Sequence, residues 1–163
     1  GPGGVAILLE VATDNRNRTA QDVRHLFARH GGNLGESGSV GWIFRRRGYF
    51  AIERGGTRTM SEEEFMDLAL ELGVDDIAVE EDRYEMYSAP EDFTTIHEAL
   101  ESRNVQLAAK ELAMVPQTTI DVPADRIGQV LRLMEALEDH DDVQKAWANF
   151  NVDERVMSAM ADR

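Results

Sequence analysis

Cysteine is absent from this chain of 163 residues. Its absence excludes disulfides, thiolate nucleophiles and cysteine-based metal sites, and it is compatible with a reducing cytoplasm. Long apolar runs are also missing, because no window approaches the roughly 20 apolar residues that a membrane-spanning helix needs. The first residues, GPGGVAILLEV, lack the basic segment that opens a signal peptide. We therefore expect a cytoplasmic location and no membrane partner.

Motifs of the common nucleotide-binding and hydrolytic enzymes are missing too. The glycine-rich stretch GGNLGESGS, residues 31–39, has neither the lysine of a P-loop nor a GxGxxG pattern. No serine lies in a GxSxG elbow. The stretch EDHDD, residues 138–142, could hold a hard cation, but it lacks EF-hand spacing, and a solvated helix end is the favoured interpretation. We expect no catalytic residue, metal, cofactor or small-molecule substrate.

Basic residues are scarce and unevenly placed. The chain has 17 lysines and arginines against 31 aspartates and glutamates, a net charge of −14. Residues 1–58 nevertheless carry nine arginines against five acids, a balance of +4, whereas residues 59–163 carry 8 bases against 26 acids, a balance of −18. An acidic body repels phosphate at long range, while a local basic edge can still bind it. On charge alone, an acidic protein with a solvated basic edge and no ligand is the favoured interpretation.

Apolar runs and periodicity predict an α+β fold. Capping boxes at Thr19–Asp22 and Ser61–Glu64 predict two helix starts, and further helices are predicted after Pro90, over 124–139 and in the tail to Arg163. Strands are predicted over 5–12, 39–44, 48–53, 75–82, 83–89, 105–115, 118–122 and 143–152. From residue 48 to 115 the order is the split βαββαβ of a ferredoxin-like domain. We predict two domains, with a ferredoxin-like domain (45–116) inserted into a second α+β domain (1–44 and 117–163), in which the N-terminal and C-terminal strands pair.

Arginines are the candidate nucleic-acid-binding residues. The stretch TDNRNRT, residues 13–19, places two of them in a predicted strand-to-helix turn, where exposed helix N–H groups also favour anions. Three more are predicted at a hinge between two strands, near aromatic residues that could stack on bases. The arginines are Arg16, Arg18, Arg24, Arg29, Arg45, Arg46 and Arg47, and the aromatics are Trp42, Tyr49 and Phe50. The equally weighted alternative is that Trp42 and Phe50 belong to the core and that the arginines pair with Asp14, Asp22 and Glu36.

Several motifs together resemble the YebC family of bacterial proteins, whose eukaryotic relative is the mitochondrial translational activator of cytochrome c oxidase subunit I. They are GPGGVA, TDNRNRT, VRHLFARHGGNLGESGSV, VGWIF and LEDHDDVQ, and the resemblance runs from Gly1 to about Val152. It implies a three-domain protein with a ferredoxin-like domain inserted in the middle one. It also implies that a basic first domain precedes GPGG in the family, so we expect this chain to carry the second and third domains only, either as a fragment or as a shortened homologue.

The resemblance implies a non-enzymatic regulator of gene expression, either a DNA-binding transcriptional regulator or a ribosome-associated translation factor. Its partner would be DNA, or the ribosome and RNA, mainly through the first domain. The residues of the family motifs are Asn15, Asn17, Gly31, Gly32, Asn33 and Gly35. For the two arginines of the turn, we expect Arg18 to brace the fold, with Asp14 or carbonyls of the glycine-rich loop as its partners, and Arg16 to be free for phosphate.

Two hypotheses of other classes stay open at this point. The first is an acidic protein–protein interaction module that docks on a basic partner through the inserted domain. The second, which is weaker, is a metal-dependent enzyme that uses the carboxylates of Glu138, Asp139, Asp141 and Asp142.

Overall fold

Two hydrophobic cores organise the computed structural model, which describes residues 1–36, 38–55 and 59–151. The chain divides into two units, one made of Gly1–Arg45 and Val115–Arg163 and the other of Arg46–Met114. The helices are α1 (Arg16–Arg29), α2 (Glu62–Leu72), α3 (Phe93–Ser102) and α4 (Ala124–Glu138). The strands are β1 (Ile7–Val11), β2 (Phe44–Glu53), β3 (Asp76–Val79), β4 (Arg83–Ser88), β5 (Ala109–Pro116), β6 (Ile120–Asp121), β7 (Val143–Ala148) and β8 (Phe150–Asn151). Within the described ranges, no helix is long and apolar enough to cross a membrane.

The first unit is built on a strand pair that joins distant parts of the sequence. β1 pairs antiparallel with β7, from Ile7 opposite Ala148 to Val11 opposite Val143, and β6 pairs parallel with β8. The expected pairing of the N-terminal and C-terminal strands is therefore confirmed. Apolar faces of β1, α1 and α4 share one core, in which each fully buried large side chain contributes about 1.5–3 kcal/mol relative to exposure. Its buried members are Val5, Ile7, Val23, Phe27, Val130, Leu133 and Leu137.

The second unit contains a four-stranded sheet in the order β3-β4-β2-β5, with β4 antiparallel to both β2 and β3. Its core includes the stacked rings of Phe65 and Tyr84 together with Phe50, Met86 and Leu100. Along the chain its elements follow the split βαββαβ order. The mixed α+β class is thereby confirmed. The predicted domain bounds stay a prediction, and we propose that the two units correspond to those domains.

The start of the first helix differs from the prediction. Asn15, and not Thr19, is the N-cap of α1, because the Asn15 side chain accepts a hydrogen bond from the Arg18 amide at 3.1 Å. Asn is among the best N-cap residues, and Thr19 is buried inside the helix. The second capping box is confirmed, since Ser61 Oγ accepts from the Glu64 amide at 3.1 Å.

The predicted hinge at Arg45–Arg47 is wrong. Residues Gly41–Ile43 form a short 3-10 helix, and β2 then runs unbroken through the three arginines to Glu53. Gly48 lies within the strand, opposite Ser88 of β4. A Cβ added at Gly48 would collide with the Ser88 hydroxyl, so only glycine allows the two strands to approach this closely. The helix predicted in the tail lies outside the described residues.

Candidate nucleic-acid interface

The beginning of α1 is fixed by a buried hydroxyl. Thr19 Oγ1 lies 2.7 Å from Asp142 Oδ2 and 2.8 Å from Thr13 Oγ1. The Thr19 hydrogen bond lowers the pKa of Asp142 most, and the positive charge of Arg18 lowers it further, although desolvation opposes both. The link holds the TDNRNRT stretch against the turn that precedes β7. Sequence reasoning missed it, because Thr19 and Asp142 lie 123 positions apart.

Arg18 belongs to the same structural link. Its Nη2 atom lies 3.5 Å from a carboxylate oxygen of Asp14 and 3.5 Å from one of Asp142. Asp14 was an expected partner, whereas no bond from Arg18 to a carbonyl of the glycine-rich loop is found among the described residues. Two acidic neighbours compete with any phosphate for this guanidinium.

Arg16 and Arg24 line a cleft of the first unit. The cleft has a volume of about 860 Å³, and its other walls include Leu9 and Val11 of β1 and loop residues 34–36. Both arginines are exposed, and neither forms an ion pair within the part of the chain that the structure describes. They lie about 12 Å apart along the helix axis, since each residue of an α-helix rises 1.5 Å. We call this feature the Arg16–Arg24 cleft.

The N-terminus of α1 adds to the positive potential of the cleft. The first turn carries no acidic residue, and unpaired N–H groups of a first helical turn attract anions. Glu36 is the opposing charge, because its exposed side chain belongs to the loop wall. The arrangement can bind phosphate through two guanidinium groups, at a cost set by Glu36 in the wall and by the Asp14 and Asp142 carboxylates beside the helix terminus.

The remaining predicted arginines are not part of this cleft. Arg29 is exposed in the last turn of α1, and Arg45 and Arg46 are exposed on β2. Arg47 is half-buried, lies 3.9 Å from an Asp76 carboxylate oxygen and sits over a tyrosine ring, that of Tyr87, at 5.0 Å from the centroid. Arg47 therefore has a structural explanation within its own unit.

The aromatic candidates separate clearly. Phe50 is fully buried in the second core. Tyr49 is half-buried and donates a hydrogen bond to Glu85, and burial is the largest cause of its raised pKa. Trp42 is 75% exposed. The core alternative is right for Phe50 and wrong for Trp42.

The family-motif loop is packed against the rest of the first unit. The Gly32 amide donates to Phe27 O at 2.8 Å and the Gly31 amide to Ala28 O at 3.4 Å, which is the Schellman pattern of a helix end. Gly31 has φ +77°, and a Cβ there would collide with the Gln129 side chain of α4. Asn33 and Gly35 are exposed and line an adjoining groove. Gly31 and Gly32 are therefore structural, and Asn17 is exposed on α1.

The EDHDD stretch is a docked turn and not a free helix end. His140 Nε2 lies 3.0 Å from Asp22 Oδ2 of α1, and His140 Nδ1 accepts from the Asp142 amide at 3.1 Å. Across residues 1–36, 38–55 and 59–151, no group of three or more His, Asp or Glu side chains is arranged to hold a metal ion. The contacts give these residues a role in holding α1 to the turn between α4 and β7.

Comparison with known proteins gives a consistent set of relatives. A family model described as TACO1/YebC second and third domain matches residues 1–150. Probable transcriptional regulatory proteins of Pelotomaculum thermopropionicum and Symbiobacterium thermophilum are each 47% identical over 154 residues, covering 94% of this chain and 63% of the relative. The crystal structure of the conserved hypothetical protein Aq1575 from Aquifex aeolicus superposes with a TM-score of 0.81 at 38% identity, covering 93% of this chain and 62% of that one. The chain thus spans less than two thirds of the length of these relatives.

Proposed function

Because this chain belongs to the TACO1/YebC family, we propose that it is the part of a non-enzymatic regulator of gene expression that contacts nucleic acid through the Arg16–Arg24 cleft. The relatives at 41–47% identity are named probable transcriptional regulatory proteins, which supports a regulatory role. DNA and the RNA of the ribosome both present the phosphates that such a cleft would bind. Arg29 and Arg45 are secondary contacts in this proposal.

One observation carries the proposal: Arg16 and Arg24 remain without a carboxylate partner, within the described residues, in a chain of net charge −14. Arg18, only two residues from Arg16, has two acidic neighbours. Sites that hold unpaired cations in an acidic protein favour an external anion, since each cation is then neutralised by the ligand. The two arginines lie about 12 Å apart along the helix axis, so each would contact a different phosphate of a continuous strand.

The test is a set of single substitutions that remove either a positive or a negative charge, inside or outside the cleft. Arg16→Ala and Arg24→Ala should each weaken binding to single-stranded RNA and to duplex DNA, to a similar extent for every sequence. Arg132→Ala is the matched control, because Arg132 is exposed on α4 and does not line the cleft. Glu36→Gln should strengthen binding, since it removes the carboxylate that opposes phosphate. Equal effects of the Arg16, Arg24 and Arg132 substitutions would contradict the proposal.

A second candidate function, docking on a basic protein, is favoured by the outer face of α2. Met66 is 45% exposed and Leu70 is 81% exposed, one turn apart. Both lie away from the buried face of the helix, and Glu62, Glu63 and Asp67 stand beside them. Residues 46–114 carry 7 bases against 17 acids, a balance of −10. Apolar anchors with an acidic rim fit a partner segment that combines leucine-like and lysine-like side chains.

This second function is tested with an amphipathic Leu–Lys helical peptide as the probe. Leu70→Gln should weaken its binding, because the substitution removes the apolar anchor and leaves the charge unchanged. Leu112→Gln is the matched control, since Leu112 is also partly exposed but lies on β5. If both variants bind the peptide as the unchanged protein does, attraction to net charge explains the binding and the docking face is excluded.

A further inference from the structure

Trp42 is an exposed aromatic side chain that the fold holds in place. Its indole N–H donates to Ser39 O at 3.0 Å, and its own carbonyl accepts from the Gln117 side chain at 3.1 Å. The Gln117 amide donates to Ile43 O at 2.8 Å, which ties the short 3-10 helix to the start of the C-terminal segment. The ring is therefore fixed at its nitrogen edge while 75% of the residue faces solvent.

Within residues 1–36, 38–55 and 59–151, the Trp42 ring is open to solvent on most of its surface. Among the described residues, no aromatic ring stacks on Trp42 and no cation lies over it, whereas Trp147 has Lys145 over its ring at 5.4 Å. A fixed aromatic ring loses little conformational entropy when it binds, so it suits a flat, apolar ligand surface. Nucleobases and apolar protein side chains both offer such surfaces.

Charge decides between these two ligand classes. Residues 38–45 of the first unit contain one arginine and no acidic residue, in a chain with 31 acids among 163 residues. Arg45, three positions after Trp42, is exposed and has no ion-pair partner within the described ranges. An exposed aromatic ring three residues from an unpaired arginine is a combination suited to the base and the phosphate of one strand. In a duplex the base faces are already stacked on each other and are closed to a protein ring.

We propose that Trp42 stacks on an unpaired base and that the nucleic acid bound by this chain is single-stranded. The inference rests on the proposed function, because it assigns the kind of strand that the chain contacts. It adds a readout that phosphate contacts lack: stacking on Trp42 distinguishes single strands from duplexes, whereas Arg16 and Arg24 bind phosphates of both.

The experiment uses the Trp147→Phe protein, in which Trp42 is the only tryptophan. An oligouridylate of about 12 nucleotides, within the range of known single-strand sites, should quench the Trp42 emission to saturation. In the full chain, Trp42→Ala should weaken oligouridylate binding about 5- to 150-fold, the equivalent of about 1–3 kcal/mol of base stacking. Trp42→Phe should keep most of the affinity, and a duplex of the same length should bind the Ala variant unchanged. Circular dichroism melts check that Trp147→Phe, Trp42→Ala and Trp42→Phe are all folded.

The outcomes separate the two proposals. Should Trp42→Ala bind oligouridylate as tightly as the unchanged chain, while Arg16→Ala still weakens it, the stacking inference is overturned and the proposed function stands. An equal loss for single strand and duplex also overturns it. Absence of binding to both nucleic acids, with no quenching, overturns the proposed function and the inference together.

Discussion

Replacing Gly31 with alanine tests whether the GGNLG motif is a structural helix end or a binding loop. Gly31 has φ +77° at the end of α1, and a residue with a Cβ costs about 1–2 kcal/mol in this conformation. The new methyl group would also displace the Gln129 side chain from its rotamer, at about 0.5–1.5 kcal/mol. We expect Gly31→Ala to lower the free energy of unfolding by about 1.5–3.5 kcal/mol in total.

Two variants divide this cost into its parts. Gly73 ends α2 with φ +71° and has nothing within 4 Å of an added Cβ, so Gly73→Ala should cost only the conformational part, about 1–2 kcal/mol. In a Gln129→Ala background, the loss in the free energy of unfolding caused by Gly31→Ala should fall to the same value. Urea unfolding of the unchanged protein, the three single variants and the double variant measures these differences.

Two results would refute the reasoning on Gly31. A loss below about 0.5 kcal/mol would show that the loop does not require the left-handed conformation. A loss that the Gln129→Ala background leaves unchanged would show that the loop is not packed against α4. A structural Gly31 also predicts that the folded variant binds nucleic acid with an unchanged salt dependence.

Two further predictions concern pH. The pKa of Asp142 is lowered, so its ionised form stabilises the fold above its unfolded pKa of about 3.9, and this contribution is lost as the pH falls through the lowered value. Asp142→Asn should therefore reduce the fall in urea stability at acid pH. An unchanged fall would contradict the link to Thr19. The pKa of Tyr49 is raised by burial and then by Glu85, so the contribution of its protonated form to stability is complete below about pH 10 and is lost as the pH rises through the raised value. Tyr49→Phe should reduce the loss of stability at alkaline pH. An equal loss in both proteins would exclude Tyr49 as its cause.

Features set by neighbouring residues could be predicted from the sequence. The Ser61 capping box needs only residues one turn apart, and the structure has it as expected. The βαββαβ element order of the second unit follows from apolar periodicity and turn residues in the same way. The family itself could be identified from its short motifs, and the family model confirms it.

Features decided by distant residues could not be predicted. Asn15 and Thr19 are both good N-cap residues, and Asp142 decides between them. The Thr19 hydroxyl donates to Asp142, so Asn15 caps the helix instead. Arg16 and Arg18 look equivalent in sequence, yet Asp142 pairs with Arg18 alone. No local pattern reveals that the EDHDD turn docks on α1.

Separating the aromatic residues required the tertiary structure for the same reason. Trp42 and Phe50 are eight positions apart on either side of three arginines, but only Phe50 is buried in the core of the second unit. Periodicity failed here because the stretch is a 3-10 turn followed by a strand, so the alternation does not extend across Ile43.

The dependence of affinity on salt measures most directly whether the Arg16–Arg24 cleft binds phosphate. Each neutralised phosphate contributes roughly 0.7 to the slope of log affinity against log salt for a single strand. The double variant Arg16→Ala, Arg24→Ala should therefore flatten the slope for oligouridylate by about 1.4 relative to the unchanged chain, and Arg132→Ala should leave it unchanged. A double variant that is folded and keeps the full slope would contradict the assignment of the cleft as the nucleic-acid interface.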